Sequence, residues 1–314
     1  MKAKAKKKDG FLHELSKNKT LFLMILPVLV YFFVFSYLPM VGVYYAFTNF
    51  NFKDGLFGSP FVGLKNFEFL FRGGKDAIIW SLTKNTVLYN LAFILIGNVL
   101  QILVAIILSE LTSKIFKKVS QSIMFLPYFI SYVIIGVFIY NIFNYEVGLA
   151  NGMLKSLGKT PVDFYGKPEV WKYIIVSANL WKNLGYGVVI YLAAITSIDK
   201  SVYEAADIDG ANIWKRIRYI TLPLLKPTFV LLLLFSLGGI LKGQFDLFYQ
   251  IVGRNGNLYA ATDIIDTYVY RTLTINFDVG LGTAAGLYQS FFGMMIVLTV
   301  NFIVKKIDPD YALF

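Results

Sequence analysis

Seven residues at fixed offsets carry the clearest chemistry in this chain: Glu204, Ala205 and Ala206 in a row, then Gly210, then Ile220, Leu222 and Pro223. Two alanines beside a carboxylate make a short helix that a partner surface can approach closely, with Glu204 free to meet an arginine or a backbone amide. That is docking chemistry, not bond-breaking chemistry. Ser201 and Glu204 have the S-x-x-E spacing of a capping box, which predicts a helix starting near Val202. Asp209-Gly210 predicts its end, because glycine accepts the left-handed conformation that closes helices. Ile213, Ile217 and Ile220 then share one face of a second helix, with Trp214 at its edge and Lys215, Arg216 and Arg218 around the rest. Pro223 and Pro227 predict where that helix stops. A simpler reading of the interval 197–227 is a solvated loop whose basic amphipathic helix lies on anionic lipid.

A second set of polar residues sits inside apolar stretches, where each is expensive. Trp181, Lys182, Asn183 and Tyr186 form one cluster; Gln244, Asp246 and Tyr249 form another. Gln289 stands apart, and Asn90, Asn98, Gln101 and Asn141 add further amides. Amides beside aromatic faces suit a sugar, which offers hydroxyls at its edges and C–H patches on its faces. Hydrogen bonding between helices and interfacial aromatics are the competing roles. Lys182 either lines a pathway, pairs with a neighbour or snorkels from a broken helix. Asp263 and Asp266, three residues apart, read as a helix start on a connection that also carries Arg271.

Composition restricts what these residues can do. Of 314 residues 57% are hydrophobic and 16% charged, too little polar surface to cover a soluble core. There is no cysteine, so disulfides and thiolate chemistry are excluded. The single histidine, His13, lies in a lysine-rich tail, which leaves neither a histidine-based triad nor a histidine metal cluster, and no metal site is expected. The segment from Gly152 to Lys159-Thr160 misses the phosphate-binding loop pattern, with five residues between its glycines instead of four. The net charge of +11 is concentrated beside apolar runs, which points to membrane lipid and away from nucleic acid.

Apolar runs at about 21–47, 85–109, 119–143, 173–195, 228–248 and 283–304 each approach the ~20 residues needed to cross a bilayer. The expected architecture is all-α and integral to the membrane, with six transmembrane helices. It divides into a basic tail at 1–20, a membrane domain at 21–304 and a short tail at 305–314. With the amino terminus inside, segments 1–19, 111–118, 198–227 and 305–314 hold 17 Lys and Arg, against nine in the longer external segments. Positive-inside therefore places both termini and the 197–227 loop in the cytoplasm.

The loop fills every fixed position of EAA-x3-G-x9-I-x-LP and resembles the coupling loop of binding-protein-dependent ABC importer permeases. Other segments resemble the LplB-like oligosaccharide branch of that family. They include Tyr37-Leu38-Pro39, Phe125-Leu126-Pro127, Asp263 to Arg271, and Thr283 to Ser290. The resemblance implies a type I ABC importer permease fold in a bacterial plasma membrane. It further implies a second, related permease, two copies of a cytoplasmic ABC ATPase that binds the ATP and Mg, and an extracellular solute-binding protein that delivers an oligosaccharide. On that view the chain is not an enzyme and binds no cofactor, and the external loop bearing Asp263, Asp266 and Arg271 receives the binding protein. Two other classes compete. A stand-alone carrier or channel is disfavoured by the scarcity of buried carboxylates for ion coupling, and a membrane enzyme by the lack of a catalytic constellation.

Overall fold

The computed structural model describes residues 17–70, 72–74, 77–307 and 309; most of the lysine-rich tail and His13 fall outside them. The described residues are helical nearly throughout. The helices of eight residues or more are α1 (Lys19–Phe32), α2 (Ile78–Glu110), α3 (Lys114–Phe125), α4 (Tyr132–Phe143), α5 (Leu149–Ser156), α6 (Pro168–Thr196), α7 (Lys200–Ile208), α8 (Leu222–Gly238), α9 (Phe245–Val252), α10 (Ile265–Thr274) and α11 (Val279–Ile307).

Four helical runs are long and apolar enough to cross a membrane: Lys19–Phe47, Ile78–Glu110, Ile213–Gly238 and Val279–Lys306. The first continues α1 through a π turn (Phe33–Tyr37) into a 3-10 stretch (Leu38–Phe47), with Pro39 in the first turn of that stretch. No residue of α1 or the π turn is buried, so the run meets the rest of the chain through the 3-10 part, which packs on α11.

Two expected spans are broken. The run at 119–143 is α3 with the 3-10 turn Leu126–Phe129, then α4 bent from it by 96°. Pro127 in that turn and Ser131, whose side chain caps α4, explain the break. At roughly 1.5 Å per residue α4 alone is too short to cross a bilayer. The run at 228–248 stops at Gly238, and residues 239–244 separate it from α9. The helix expected to end at Pro223 instead runs on to Gly238. The π turn Ile217–Thr221 shifts the hydrogen-bond register ahead of Pro223, which sits in the first turn of α8 and needs no N–H partner there. Helix α6 is long enough to cross but more polar than the others, with Asn179 and Lys182 buried in it.

Helices α2 and α6 form the central pair. Tyr89 and Phe93 meet Trp171, Ile174, Ile175 and Ala178 at one end, where α4 and α9 join them. At the other end Ala105, Ile106 and Leu108 meet Val188, Tyr191, Leu192 and Ile195, with Leu225 of α8. Small residues set how closely the elements approach. A Cβ on Gly185 of α6 would lie 2.1 Å from the Met124 carbonyl oxygen, and one on Gly187 would lie 2.0 Å from the Gln101 side chain. The first contact is with backbone and cannot be relieved by a rotamer change. Gly185→Ala should therefore destabilise the chain by ~1–3 kcal/mol through overpacking. Gly293→Ala, where nothing lies within 4 Å, should be neutral. Thermal midpoints of the two variants in detergent test this; equal midpoints would show that the broken span does not rest on α6 in this way.

Candidate functional site

Backbone groups freed at the breaks have no water to pair with in lipid, so side chains must take them. At the first break Lys182 does so. Its Nζ donates to the carbonyls of Pro127 (3.4 Å), Tyr128 (2.8 Å) and Ile130, and lies 4.8 Å from the centre of the Tyr132 ring. At the second break the Asn90 amide donates to the carbonyls of Ile240 (3.0 Å) and Lys242 (3.2 Å), and Gln289 donates to that of Leu241 (2.6 Å). The Gly243 N–H donates to the Asp266 carboxylate at 2.6 Å, and Gln289 donates to the same oxygen at 2.9 Å.

Between the two apolar clusters α2, α6, α8 and residues 239–244 line an open cavity of about 380 Å³. Asn90, Asn98, Gln101, Asn183 and Gln244 line it, with Tyr186 stacked on Tyr128 at 4.9 Å between ring centres. Asn179, which the sequence reading passed over, lines it too. It donates to the Gln244 side-chain amide oxygen, which also accepts from the Tyr132 hydroxyl at 3.3 Å. The Tyr191 hydroxyl fixes Asn98 by a 2.6 Å bond. An amide-lined hollow with one aromatic face offers donors and acceptors to a hydroxyl-rich ligand, and Lys242 is the one charged residue in its lining.

The remaining expected pathway residues lie elsewhere. Lys182 and Gln289 are spent on backbone carbonyls. Trp181 lines a separate apolar groove with Phe138, Asn141 and Tyr173. Asp246 is exposed on the first turn of α9 and does not line the amide cavity. Tyr249 packs against Phe245 and Tyr270 at 5.1 and 5.0 Å. The spacing in sequence brought all of these together because helix neighbours share a window, not a face.

In the connection before α11, Arg271 holds Asp263 at 2.5 Å and stacks 4.2 Å from the Tyr259 ring centre, while Asp263 itself is buried. Asp266 is the acceptor at the second break. These three acidic and basic groups hold the loop's own shape, so charge reversal at Arg271 would break a buried pair before it reported on any docking partner.

At the far end of α2 and α6, helix α7 carries Glu204, Ala205 and Ala206. Its cap is Asp199, which accepts from the Ser201 N–H at 2.9 Å; the expected capping box does not form, because the helix starts two residues earlier than Val202. That amide holds the Asp199 carboxyl below its ordinary range. Gly210 ends the elbow with φ of +73°. Glu204 and Ala205 are exposed, as are Ile208 (87%) and Trp214 (75%). Ile220 and Leu222 lie where the π turn joins α8, and Pro223 follows. Arg216 ties this unit to the bundle: it donates to Asp207 of α7 at 2.8 and 3.0 Å and to Glu110, the last residue of α2, at 3.1 Å. Tyr203 and Thr221 add a 3.0 Å bond between α7 and the π turn. No motif pointed to Arg216, since it pairs across 106 residues of chain.

The chain belongs to the binding-protein-dependent transport system inner membrane component family, whose model matches residues 101–312. It is a carbohydrate ABC importer permease subunit, a multi-pass inner-membrane component and not an enzyme. It is 30% identical over 296 residues to Protein LplB of Bacillus subtilis, covering 94% of this chain and 92% of that one. The polygalacturonan/rhamnogalacturonan transport system permease protein YteP of the same organism is 33% identical over 307 residues, covering 98% and 94%. The trehalose/maltose transport system permease protein MalF of Thermococcus litoralis is 30% identical over 288 residues, covering 91% and 92%. A chain of a crystal structure of a bacterial alginate ABC transporter, in complex with alginate pentasaccharide-bound periplasmic protein, superposes with a TM-score of 0.84. That chain is 32% identical, and the match covers 95% of this chain and 98% of the other.

The geometry at the first break makes a direct prediction. Lys182→Met removes the donor to the Tyr128 and Ile130 carbonyls, while that of Pro127 keeps the Ile130 N–H, at a cost of about 1–3 kcal/mol. The thermal midpoint of the purified chain should fall, and transport should fall with it. An unchanged midpoint would show that Lys182 does not hold the break.

Proposed function

We propose that this chain carries oligosaccharides through the amide-lined cavity and takes its driving force from an ATPase docked on α7. The observation that carries the reading is the form of the 197–227 unit. A short capped helix projects Glu204 and Ala205 into solvent beside exposed Ile208 and Trp214, yet it is bolted through Arg216 to the end of a cavity-lining helix. A surface with exposed apolar side chains and a free carboxylate suits a partner's groove. Its rigid attachment to α2 suits transmission of movement.

On this reading the chain is a six-span permease half, with the broken pair α3–α4, α6, and α8 with residues 239–252 counted among the spans. The excess of basic residues in segments 1–19, 111–118, 198–227 and 305–314 supports a cytoplasmic position for both termini and α7. The assembly pairs it with a second permease, two ATPase copies that bind the ATP and Mg, and an external binding protein that delivers the sugar. The permease domain is 21–304, flanked by tails at 1–20 and 305–314, and this chain itself binds no cofactor. ATP-driven closure of the ATPases would move α7, and through Arg216 the ends of α2 and α8, so that the cavity opens outward. The external connections at residues 48–77 and 253–278 would receive the binding protein.

In the reconstituted importer, Glu204→Lys should cut uptake by roughly tenfold, the worth of one charge-assisted hydrogen bond. Gly210→Val should do so by straining a backbone of positive φ. Arg216→Gln should leave ATP hydrolysis running while uptake falls. All three variants should still purify with the second permease and the ATPase. Normal uptake by all three, or ATP-independent transport by the chain alone, would refute the coupling role.

A further inference from the structure

The amide cavity has one charged residue in its lining, and it is a cation. Lys242 sits in the stretch 239–244 between α8 and α9, exposed both to that cavity and to a second hollow of about 330 Å³ between α8 and α11. Among the described residues it makes no ion pair within 4 Å, and no Asp or Glu lines either hollow. The carboxylates nearest in sequence and space are otherwise placed. Asp266 is engaged by the Gly243 N–H and Gln289, and Asp246 points out from the first turn of α9. Asn90 and Gln289 use their amides to hold the backbone on both sides of Lys242, which fixes where its stem emerges.

Asp266 lies near enough to feel the Lys242 charge but is already bonded to the Gly243 N–H and Gln289 and makes no ion pair with it within 4 Å. The ammonium therefore keeps bonding capacity to spare, and a neutral sugar would gain little from it beyond what the amides already give. Relatives of this chain are named for both acidic and neutral glycans, so family membership leaves the cargo's charge open. We infer that the imported oligosaccharide is acidic, with a uronate carboxylate meeting Lys242 while its hydroxyls meet Gln244, Asn179, Asn183 and Gln101. This rests on the reading of the cavity as the sugar pathway. A lysine suits the task better than an arginine: a point charge on a flexible stem holds a carboxylate without clamping it in a two-pronged fork, and a pathway must also let go.

The test offers the complete reconstituted importer a mixed pool of partial hydrolysates of pectin, alginate and starch, and identifies by mass spectrometry what enters in an ATP-dependent way. Acidic species should be enriched inside. Lys242→Gln should lower their uptake about tenfold, the worth of one charge-assisted hydrogen bond, without lowering that of neutral species. Lys242→Arg, which keeps the charge, should retain most of the acidic uptake. Entry of neutral species in preference, or an equal effect of Lys242→Gln on both classes, would overturn the assignment while leaving the importer reading intact. No ATP-dependent entry of any oligosaccharide would overturn both.

Discussion

The arrangement of the bundle depends on pairing the backbone groups that two helix breaks leave free. Two apolar helical runs break, and a break exposes carbonyls that are costly to bury unless something donates to them. Lys182 gives three bonds to the first break; Asn90, Gln289 and Asp266 satisfy the second. The donors come from α6, α2 and α11 and the one acceptor, Asp266, from α10, so each break is held from a different element than the one that contains it. Local instability is thereby converted into a tertiary requirement.

The cavity follows from this arrangement. Once residues 239–244 leave helical geometry, Gln244 can reach Asn179 and Tyr132, and α2 and α6 are left with a polar middle between two apolar ends. Glycines at 185 and 187 bring the elements close enough for these short amide side chains to matter. Amide pairs between helices are individually modest, near 1 kcal/mol by the usual measure. Their collective effect here is to hold a hollow open against collapse while keeping its surface hydrogen-bonding.

At the other end the physics changes from lipid to water, and charge becomes affordable. Arg216 can serve both Asp207 and Glu110 because its planar fork presents several donors in fixed directions, which a lysine does not. The same bundle thus has a stiff ionic link at the proposed ATPase end and a soft amide hollow in its interior. A mechanical role at one end and a yielding grip in the middle are compatible with one continuous α2.

The sequence by itself determined the class of molecule and its helical nature. Apolar run lengths require membrane helices whatever their packing, and Gly210 ends the short helix of the EAA-x3-G-x9-I-x-LP string as its type predicts, although the cap at its start is Asp199 and not the expected Ser201–Glu204 box. Of the polar residues that stand out in the apolar stretches, Asn90, Asn98, Gln101, Asn183, Tyr186 and Gln244 meet at one hollow. Only the tertiary structure decided which polar residues face the hollow and which repair the backbone. Lys182 and Gln289 are indistinguishable from cavity residues in sequence, because the carbonyls they serve belong to elements 52 and 48 residues away. Tertiary structure also decided that Pro127 breaks a span while Pro223 does not, because a π turn precedes the second and a lysine from another helix waits at the first. Hydropathy measures whether a segment can enter lipid; it contains no information about where that segment's unpaired carbonyls will find a donor.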